Sequence, residues 1–301
     1  MRIGNGCTTL FLGFLCFLSV ACGGTGSSSK PTTQPAALPM FSHVVLLVEE
    51  NHSYSDVIGN SQMPYFNSLA SQYALAGEYF ANAHPSIPNY LMLTTGQIET
   101  YDDGFTGTIS DDNVVRELVK AGKTWKAYAE SIPSAGYLGA DSGNYARDHN
   151  PFTYFSDVQS DSSQAANIVP FTQFATDLAN DALPQYSFIV PNLMDNAHNG
   201  TLAQADSWLQ SNIEPLIADS SFQTSGLLII TFDESEQSDI QNGGGQVATL
   251  IISSQAKKGY ISKSMYQHQS TLRLTLAASG VDTFPGMAAN APDMTEFFLG
   301  H

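Results

Sequence analysis

The sequence predicts an α/β domain built on a largely parallel central sheet. Short runs of β-branched residues and leucine recur along the chain, and such continuous runs are typical of strands buried on both faces. Segments with apolar residues at helical spacing lie between these runs. This alternation favours a layered fold in which helices cover the sheet. Polar functional residues are then expected at the carboxyl ends of the strands.

The individual elements follow from these two patterns. Val44–Val48 contains only valine and leucine and is predicted as the first strand. Comparable runs predict four further strands, at Trp125–Tyr128, Tyr186–Val190, Leu227–Phe232 and Val247–Ile252. Helical spacing predicts helices at Tyr65–Ala74, Tyr90–Thr95, Val114–Ala121, Phe171–Leu178, Ala203–Ile217 and Thr271–Ala278.

Composition limits the class of protein and its partners. The hydrophobic share of 43% is enough for a sizeable core, and no second linker or internal repeat follows residue 41, so we treat 41–301 as one domain. Acidic residues number 28 against 11 basic ones, for a net charge of −17. This balance argues against nucleic acid or anionic lipid as a partner held by bulk electrostatics. A phosphate substrate is not excluded, because a bound metal ion can dominate the local field. We expect a monomer.

The first 22 residues resemble an export signal. Arg2 is followed by the apolar run Leu10–Val20, which is too short to span a bilayer as a helix. The segment Leu18–Cys22 resembles a bacterial lipoprotein signal, in which Cys22 is lipidated and becomes the new N-terminus. We therefore expect an exported protein held at the cell envelope through an N-terminal lipid. A plain signal peptide, which would give a secreted protein, is the alternative.

Two features of the neighbouring sequence agree with a lipid anchor. All three cysteines lie in or at the end of this leader, so the mature domain has no disulfide and no thiol nucleophile. Residues 23–40 are rich in glycine, serine, threonine and proline and are predicted to form a disordered tether.

Two predicted strands end in oxygen-bearing side chains. Glu50 and Asn51 follow the first strand, and Asp233 and Glu234 follow the fourth. If these four residues meet at one edge of the sheet, their mutual repulsion requires a compensating charge, and a divalent cation is the usual one. The alternative is that strands end in loops and loops are polar.

Ser86 stands in a segment suited to a nucleophile. Pro85 and Pro88 bracket it in a rigid turn, and the helical run behind it would direct backbone N–H groups at a phosphate resting near the serine. A serine at a helix start is more often an N-cap.

Histidines cluster in similar positions. The chain has 7 histidines, and five of them fall in polar loop segments, several at predicted strand-to-helix junctions: His52, His84, His149, His198 and His268. A lone loop histidine is usually solvated, whereas several at such junctions point to a functional site.

Taken in order, six motifs resemble those of the bacterial phosphoesterase family, a branch of the alkaline-phosphatase-like superfamily. That family contains secreted acid phosphatases, phosphatidylinositol-3-phosphate phosphatases and bacterial phospholipases C. The resemblance covers most of 41–301 and implies a layered α/β/α domain. The motifs are Glu50–Ser53, His84–Tyr90, His149–Phe152, Pro191–His198, Thr231–Glu234 and His268–Arg273.

The resemblance implies roles for individual residues. Ser86 matches the residue that attacks phosphorus, which gives a phosphoserine intermediate. His198 and His268 match catalytic residues at the phosphate or at the second metal position of two-metal relatives. Contact with the phosphate or the leaving group is expected of His84, His149 and Asn89. The matching metal positions are Glu50, Asn51, Asp233 and Glu234.

Metal number and metal identity stay open at this point. Asp195 is a further candidate ligand, although its spacing departs from the pattern of two-metal relatives. An oxygen-rich ligand set suits Ca²⁺ or Mg²⁺, whereas participation of His198 or His268 would favour Zn²⁺.

The preferred reading is a phosphomonoesterase acting on small-molecule or lipid phosphate esters, with a phospholipase C-like phosphodiesterase as one alternative. The chain is short for the larger phospholipases, which favours monoesters. A surface lipoprotein that binds phosphate or metal without turnover is the other alternative. A sulfatase is excluded because Tyr90 stands where those relatives need arginine. Substrate choice is expected to depend on loops such as Gly96–Asp111 and Ser131–Asn144.

Overall fold

A computed structural model describes residues 1, 8–10 and 38–300. Contacts between Cα atoms divide the chain into the units Met1–Gln34 and Pro35–His301, and the fold described below is that of the second unit.

The predicted leader lies mostly outside the described residues. This holds for most of the signal peptide 1–22, for its lipidation residue Cys22 and for the tether 23–40 as far as residue 37. Leu38 packs against the core, and Phe41 is buried.

Eight strands form one sheet, in the order β4-β3-β5-β1-β6-β7-β2-β8. β7 runs antiparallel to both of its neighbours, and the other neighbouring pairs are parallel. The prediction of a largely parallel α/β sheet is confirmed. The strands are β1 (His43–Glu49), β2 (Ala74–Phe80), β3 (Trp125–Ala129), β4 (Ile168–Pro170), β5 (Tyr186–Val190), β6 (Gly226–Phe232), β7 (Thr249–Ile252) and β8 (Tyr260–Gln267).

Helices connect the strands. The α-helices are α1 (Tyr54–Val57), α2 (Pro64–Gln72), α3 (Ser86–Thr95), α4 (Val114–Lys120), α5 (Ser156–Gln159), α6 (Ser162–Ala165), α7 (Thr172–Ala179), α8 (Leu202–Ala218), α9 (Ser220–Ser225) and α10 (His268–Ala278). Short 3₁₀ helices lie at Pro151–Tyr154, Gln241–Gly243, Gly286–Asn290 and Thr295–Phe297. No helix in the described part of the chain combines the length and hydropathy of a membrane span.

Burial explains why apolar runs predict some strands and not others. Every residue of β5 and β6 is buried, and in β1 only His43 is partly exposed. These central strands need apolar side chains on both faces, which produces continuous runs. β8 is an edge strand with several exposed residues, and β4 has only three residues. Neither produces such a run, so both were missed, as was β2, which contains Gly77 and the exposed Glu78.

α3 begins four residues earlier than predicted, at Ser86 rather than Tyr90. All of its residues are buried, and it packs against α10. Pro85 is the N-cap, and no side chain makes a capping hydrogen bond there. Ser86 is therefore the first residue of a buried helix, and its hydroxyl group is not used as a cap.

Candidate active site

Pairing of β1 with β6 brings two acidic strand ends together. The strands are parallel with Glu49 opposite Phe232, so the residues that follow each strand are neighbours. The backbone N–H of Asn51 donates to Asp233 Oδ1 over 3.0 Å. Asp233 is fully buried, as is Glu50. The structure thus places the predicted metal residues at one edge of the sheet.

Ser86 lies between carboxylates from both strand ends. Its hydroxyl donates to Glu50 Oε2 over 3.3 Å and to Glu234 Oε1 over 3.4 Å. The side chain is buried, with 5% of its surface exposed. The start of α3 therefore presents a hydroxyl oxygen to the acidic cluster.

Two buried oxygens in this cluster have no hydrogen-bond partner among residues 38–300. They are Asn51 Oδ1 and Asp233 Oδ2. Asn51 also has a φ of 52°, a left-handed conformation that asparagine tolerates better than most residues. An unpaired buried polar atom costs free energy unless a ligand satisfies it. Oxygens of this kind are the preferred ligands of hard divalent cations, so the residues present fit a metal.

The electrostatics of this cluster favour a bound cation. Burial, followed by the charge of Asp233, raises the pKa of Glu50 well above its usual range. Burial, followed by the charge of Glu234, raises the pKa of Asp233 to about 7. Burial, followed by the charge of Asp103, raises the pKa of Glu234 to about 8. A bound cation would favour the ionised form of all three groups.

Tyr90 and His149 hold Glu50 on its other side. The Tyr90 hydroxyl donates to Glu50 Oε1, and His149 Nδ1 lies 3.3 Å from the same oxygen. The His149 ring stacks on Tyr90 with ring centroids 5.1 Å apart. Burial lowers the pKa of His149 to about 3, so its ring is neutral. The sequence motif contained Tyr90, but the pattern alone did not reveal this contact.

His84 and His268 both use their two ring nitrogens within the protein. His84 Nδ1 lies 2.6 Å from Glu234 Oε2, and Nε2 lies 2.9 Å from the Asp239 carbonyl oxygen. His268 Nε2 lies 2.6 Å from the Asp233 carbonyl oxygen, and Nδ1 lies 3.1 Å from the Tyr79 hydroxyl. In this structure both rings support the acidic residues.

Asn89 also acts within the protein. Its Oδ1 accepts from the backbone N–H groups of Asn82 and Ala83, and its Nδ2 donates to the carbonyls of Ala83 and Pro85. These bonds fix the loop that precedes Ser86. The structure therefore gives Asn89 a supporting position, and its contact with phosphate stays a prediction.

His198 is the exposed member of the predicted set. Its backbone N–H donates to Asn196 Oδ1, and Nδ1 lies 2.9 Å from Asn199 Oδ1. Nε2 has no hydrogen bond recorded among the described residues. Within those residues, donor atoms of Glu50, His149 and His198 lie within 4.8 Å of one another and form a second possible set of metal ligands.

Asp195 has its own hydrogen-bond partners. Its carboxylate accepts from Asn192 Nδ2 over 3.0 Å and from Gln204 Nε2 over 2.9 Å. Burial raises the pKa of Glu49 and of Glu130, and the negative charge of Asp195 raises both further. The role of Asp195 as a metal ligand stays a prediction.

An open cleft of about 390 Å³ gives access to Ser86. Asp103 lines it, and Asp148 Oδ2 lies 3.7 Å from His149 Nε2. Sequence reasoning missed both residues, although Asp148 directly precedes a motif histidine and Asp103 lies in the predicted specificity loop Gly96–Asp111. The cleft is lined by Asn51, Pro85, Ser86, Asp103, His198, Glu234, Ser235, Glu236 and Gln237.

Comparison with known proteins decides the family. Residues 60–281 match the Phosphoesterase family. The chain belongs to the phosphoesterase family. It is a phosphoric ester hydrolase, and the resemblance drawn from the six motifs is confirmed.

This phosphoesterase is similar to named enzymes. It is 34% identical over 269 residues to a phosphatidylinositol-3-phosphatase of Mycobacterium tuberculosis, a match that covers 87% of this chain and 85% of the relative. It is 32% identical over 241 residues to a probable acid phosphatase of Kluyveromyces lactis, which covers 77% of this chain and 56% of that protein.

The fold of this phosphoesterase is shared with the alkaline phosphatase superfamily. A solved member of that superfamily from Vibrio parahaemolyticus superimposes with a TM-score of 0.59 at 12% identity, covering 85% of this chain and 71% of the other. The predicted alkaline-phosphatase-like fold is confirmed.

Proposed function

We propose that this phosphoesterase is a metal-dependent phosphomonoesterase in which Ser86 attacks phosphorus and carries the phosphoryl group as phosphoserine. One observation carries the proposal. The Ser86 hydroxyl lies at the start of a buried helix, within 3.4 Å of carboxylate oxygens from two strand ends. Beside it lie the unpaired oxygens of Asn51 and Asp233.

The residues that would hold the metal are Glu50, Asn51, Asp233 and Glu234. A divalent cation bound there lowers the pKa of a coordinated hydroxyl and offsets negative charge on the phosphoryl group. These oxygen ligands favour Ca²⁺ or Mg²⁺, whereas use of His149 and His198 with Glu50 would favour Zn²⁺.

The protein's own groups account for the remaining steps. The Ser86 hydroxyl proton points at Glu50 and Glu234, which are placed to receive it as Oγ forms a bond to phosphorus. The bond between phosphorus and the ester oxygen breaks, and the alcohol takes a proton from His198 Nε2 at the open side of the cleft. Water then attacks phosphorus and gives a proton to His198 Nε2. The bond between phosphorus and Ser86 Oγ breaks, and the serine regains its proton from Glu50 or Glu234.

Several residues predicted to touch phosphate act as positioning residues in this scheme. His84 holds Glu234, His268 holds the Asp233 backbone, and Asn89 holds the loop before Ser86. Misplacement of a reacting group by a fraction of an ångström slows the reaction, so these contacts matter for rate without touching substrate.

The substrate proposal rests on the relatives. The names acid phosphatase and phosphatidylinositol-3-phosphatase favour monoesters and include a lipid phosphate among the candidates. A phospholipase C-like diesterase and a binding protein without turnover remain the alternatives that an assay must separate.

Trapping of the intermediate tests the proposal. The chain is mixed with ³²P-labelled phenyl phosphate and quenched in acid, and we expect protein-bound label that peptide mapping assigns to Ser86. Ser86→Ala should carry no label. Ser235→Ala, which changes the other serine of the cleft, should keep it. Turnover without bound label would contradict the phosphoserine step. Turnover of a diester and not of the monoester would favour the phosphodiesterase.

We also propose that the chain is exported and attached to the cell envelope through a lipid on Cys22, with 23–40 as a tether and 41–301 as the enzyme domain. Metabolic labelling with radioactive palmitate should label the intact chain in a bacterial host. Cys22→Ala should lose the label. An unlabelled, secreted wild-type protein would favour the plain signal peptide.

A further inference from the structure

Asp103 is fixed beside the nucleophile. It lies in the loop between α3 and α4, and its Oδ1 accepts the backbone N–H of Ile87 over 3.1 Å. Ile87 directly follows Ser86, so this bond ties the loop to the start of α3. The other carboxylate oxygen of Asp103 has no hydrogen bond recorded among the described residues, and the side chain lines the cleft.

The lining of the cleft is acidic. Within the described residues, no lysine or arginine lines it, whereas Asp103 and Glu236 stand on its wall. A carboxylate offers only acceptors, and so do the oxygens of a phosphate dianion. Asp103 therefore cannot bind the phosphoryl group directly. It can accept hydrogen bonds from hydroxyl or ammonium groups on the alcohol part of the ester.

Asp103 shares the wall of the cleft with Glu236. Asp103 lies in the loop between α3 and α4, and Glu236 lies in the loop after β6. Two carboxylates therefore line the cleft from different loops. A second anionic group on a substrate would be repelled at this position.

We propose that Asp103 is a specificity-determining residue, which accepts hydrogen bonds from the alcohol part of the ester and, together with Glu236, selects esters that bear hydroxyl groups and no second anionic group. This assignment rests on the proposed phosphomonoesterase function. It places substrate choice in the loop Gly96–Asp111, and it names the substrate class as singly phosphorylated polyols.

Three probes test the assignment on the full chain. Glycerol 2-phosphate carries free hydroxyls, phenyl phosphate carries none, and fructose 1,6-bisphosphate carries a second phosphate. Asp103→Asn keeps the acceptor for the Ile87 N–H but presents an N–H group to the cleft. We expect the kcat/KM ratio of glycerol 2-phosphate to phenyl phosphate to fall about tenfold. The ratio of the bisphosphate to glycerol 2-phosphate should rise by about the same factor.

Two further variants separate this role from a structural one. Glu236→Gln should shift the bisphosphate ratio in the same direction by a smaller factor. Asp102→Asn changes the neighbouring exposed acid, whose Oδ1 accepts the Gly104 N–H, and should leave both ratios as in the wild type. If Asp103→Asn changed kcat/KM by the same factor for all three probes, the specificity role of Asp103 would be overturned and the proposed function would stand. A wild-type chain that hydrolyses no probe with any metal would overturn the proposed function and the assignment with it.

Discussion

Two adjacent glutamates at the end of β1 have opposite surroundings. Successive residues of a strand point to opposite faces of the sheet, so Glu49 and Glu50 face different regions. Glu50 contacts Ser86, Tyr90 and His149 beside the open cleft. Glu49 is fully buried, and within the described part of the chain neither of its carboxyl oxygens has a hydrogen-bond partner.

The acidic residues near Glu49 and those near Glu50 differ in their hydrogen-bond partners. Near Glu49, Asp195 accepts from Asn192 and Gln204, and Glu130 accepts from the Trp208 indole. Burial, followed by the charge of Asp195, raises the pKa of Glu49 well above its usual range, so Glu49 keeps its proton. Near Glu50, by contrast, unpaired oxygens lie beside a hydroxyl and an open cleft. Acidic residues alone do not make a catalytic site, and the proposed site rests on this combination.

The strongest test of this comparison is Ser86→Ala. Loss of the nucleophile should lower kcat for phenyl phosphate by about four orders of magnitude or more, as for other hydrolases that lose their nucleophile. Thermal unfolding and metal content should stay close to the wild type, because the hydroxyl makes only long hydrogen bonds. If Ser86→Ala retained turnover in a steady-state assay, the reaction would not take place beside Glu50.

Asp233→Ala should have the next largest effect. It removes a carboxylate with a free oxygen, so we expect loss of the bound metal and a fall in kcat/KM of about three orders of magnitude. Asp195→Asn, on the Glu49 side, should keep the metal. Elemental analysis of both purified variants measures this directly. Metal loss in Asp195→Asn with full retention in Asp233→Ala would reverse the assignment of the two regions.

The pH dependence of stability should reveal the metal. The folded pKa values of about 7 for Asp233 and about 8 for Glu234 exceed the ordinary 3.8 and 4.5, so the metal-free folded state binds protons more tightly than the unfolded state. The stability that these two groups contribute is fully present below their ordinary pKa values and is lost as pH rises through the folded values. Tm of metal-stripped protein should fall between about pH 5 and about pH 8. Resupplied metal should reduce the dependence of Tm on pH. A Tm that does not change with pH in the stripped protein would contradict this prediction.

The smallest effect is expected at Glu49. Because Glu49 keeps its proton, Glu49→Gln should change Tm little at about pH 5 and raise it slightly at alkaline pH, where ionisation of the wild-type group becomes costly. Activity and metal content should be retained. Glu50→Gln should remove both activity and bound metal, so Glu49→Gln and Glu50→Gln form a matched comparison.

The sequence predicts the central strands because these strands are buried along almost their whole length. β1, β5 and β6 are buried on both faces and contain continuous apolar runs. The edge strand β8 has only two buried residues, Ser262 and Tyr266, and its apolar pattern is therefore weaker. The start of α3 was placed too late because Pro85 and Pro88 were interpreted as a turn, whereas proline is compatible with the first turn of a helix.

The motifs predicted which residues lie near Ser86 but not the direction in which each side chain points. Glu50, Asn51, Asp233 and Glu234 meet as expected, since parallel strands end at the same edge. His84, His268 and Asn89 lie close by, yet their polar atoms are used by neighbouring protein groups. Asp103 reaches the cleft through a loop conformation that no periodic pattern encodes.

The most direct test of the account is phosphate release from phenyl phosphate by the purified chain, with matched samples stripped of metal and resupplied with Ca²⁺, Mg²⁺ or Zn²⁺. The account predicts that turnover disappears on stripping and returns with one ion, and that Asp233→Ala recovers no activity with any ion while Asp195→Asn recovers fully. Full turnover in stripped protein, or recovery of Asp233→Ala, would contradict a metal held at the ends of β1 and β6 beside Ser86.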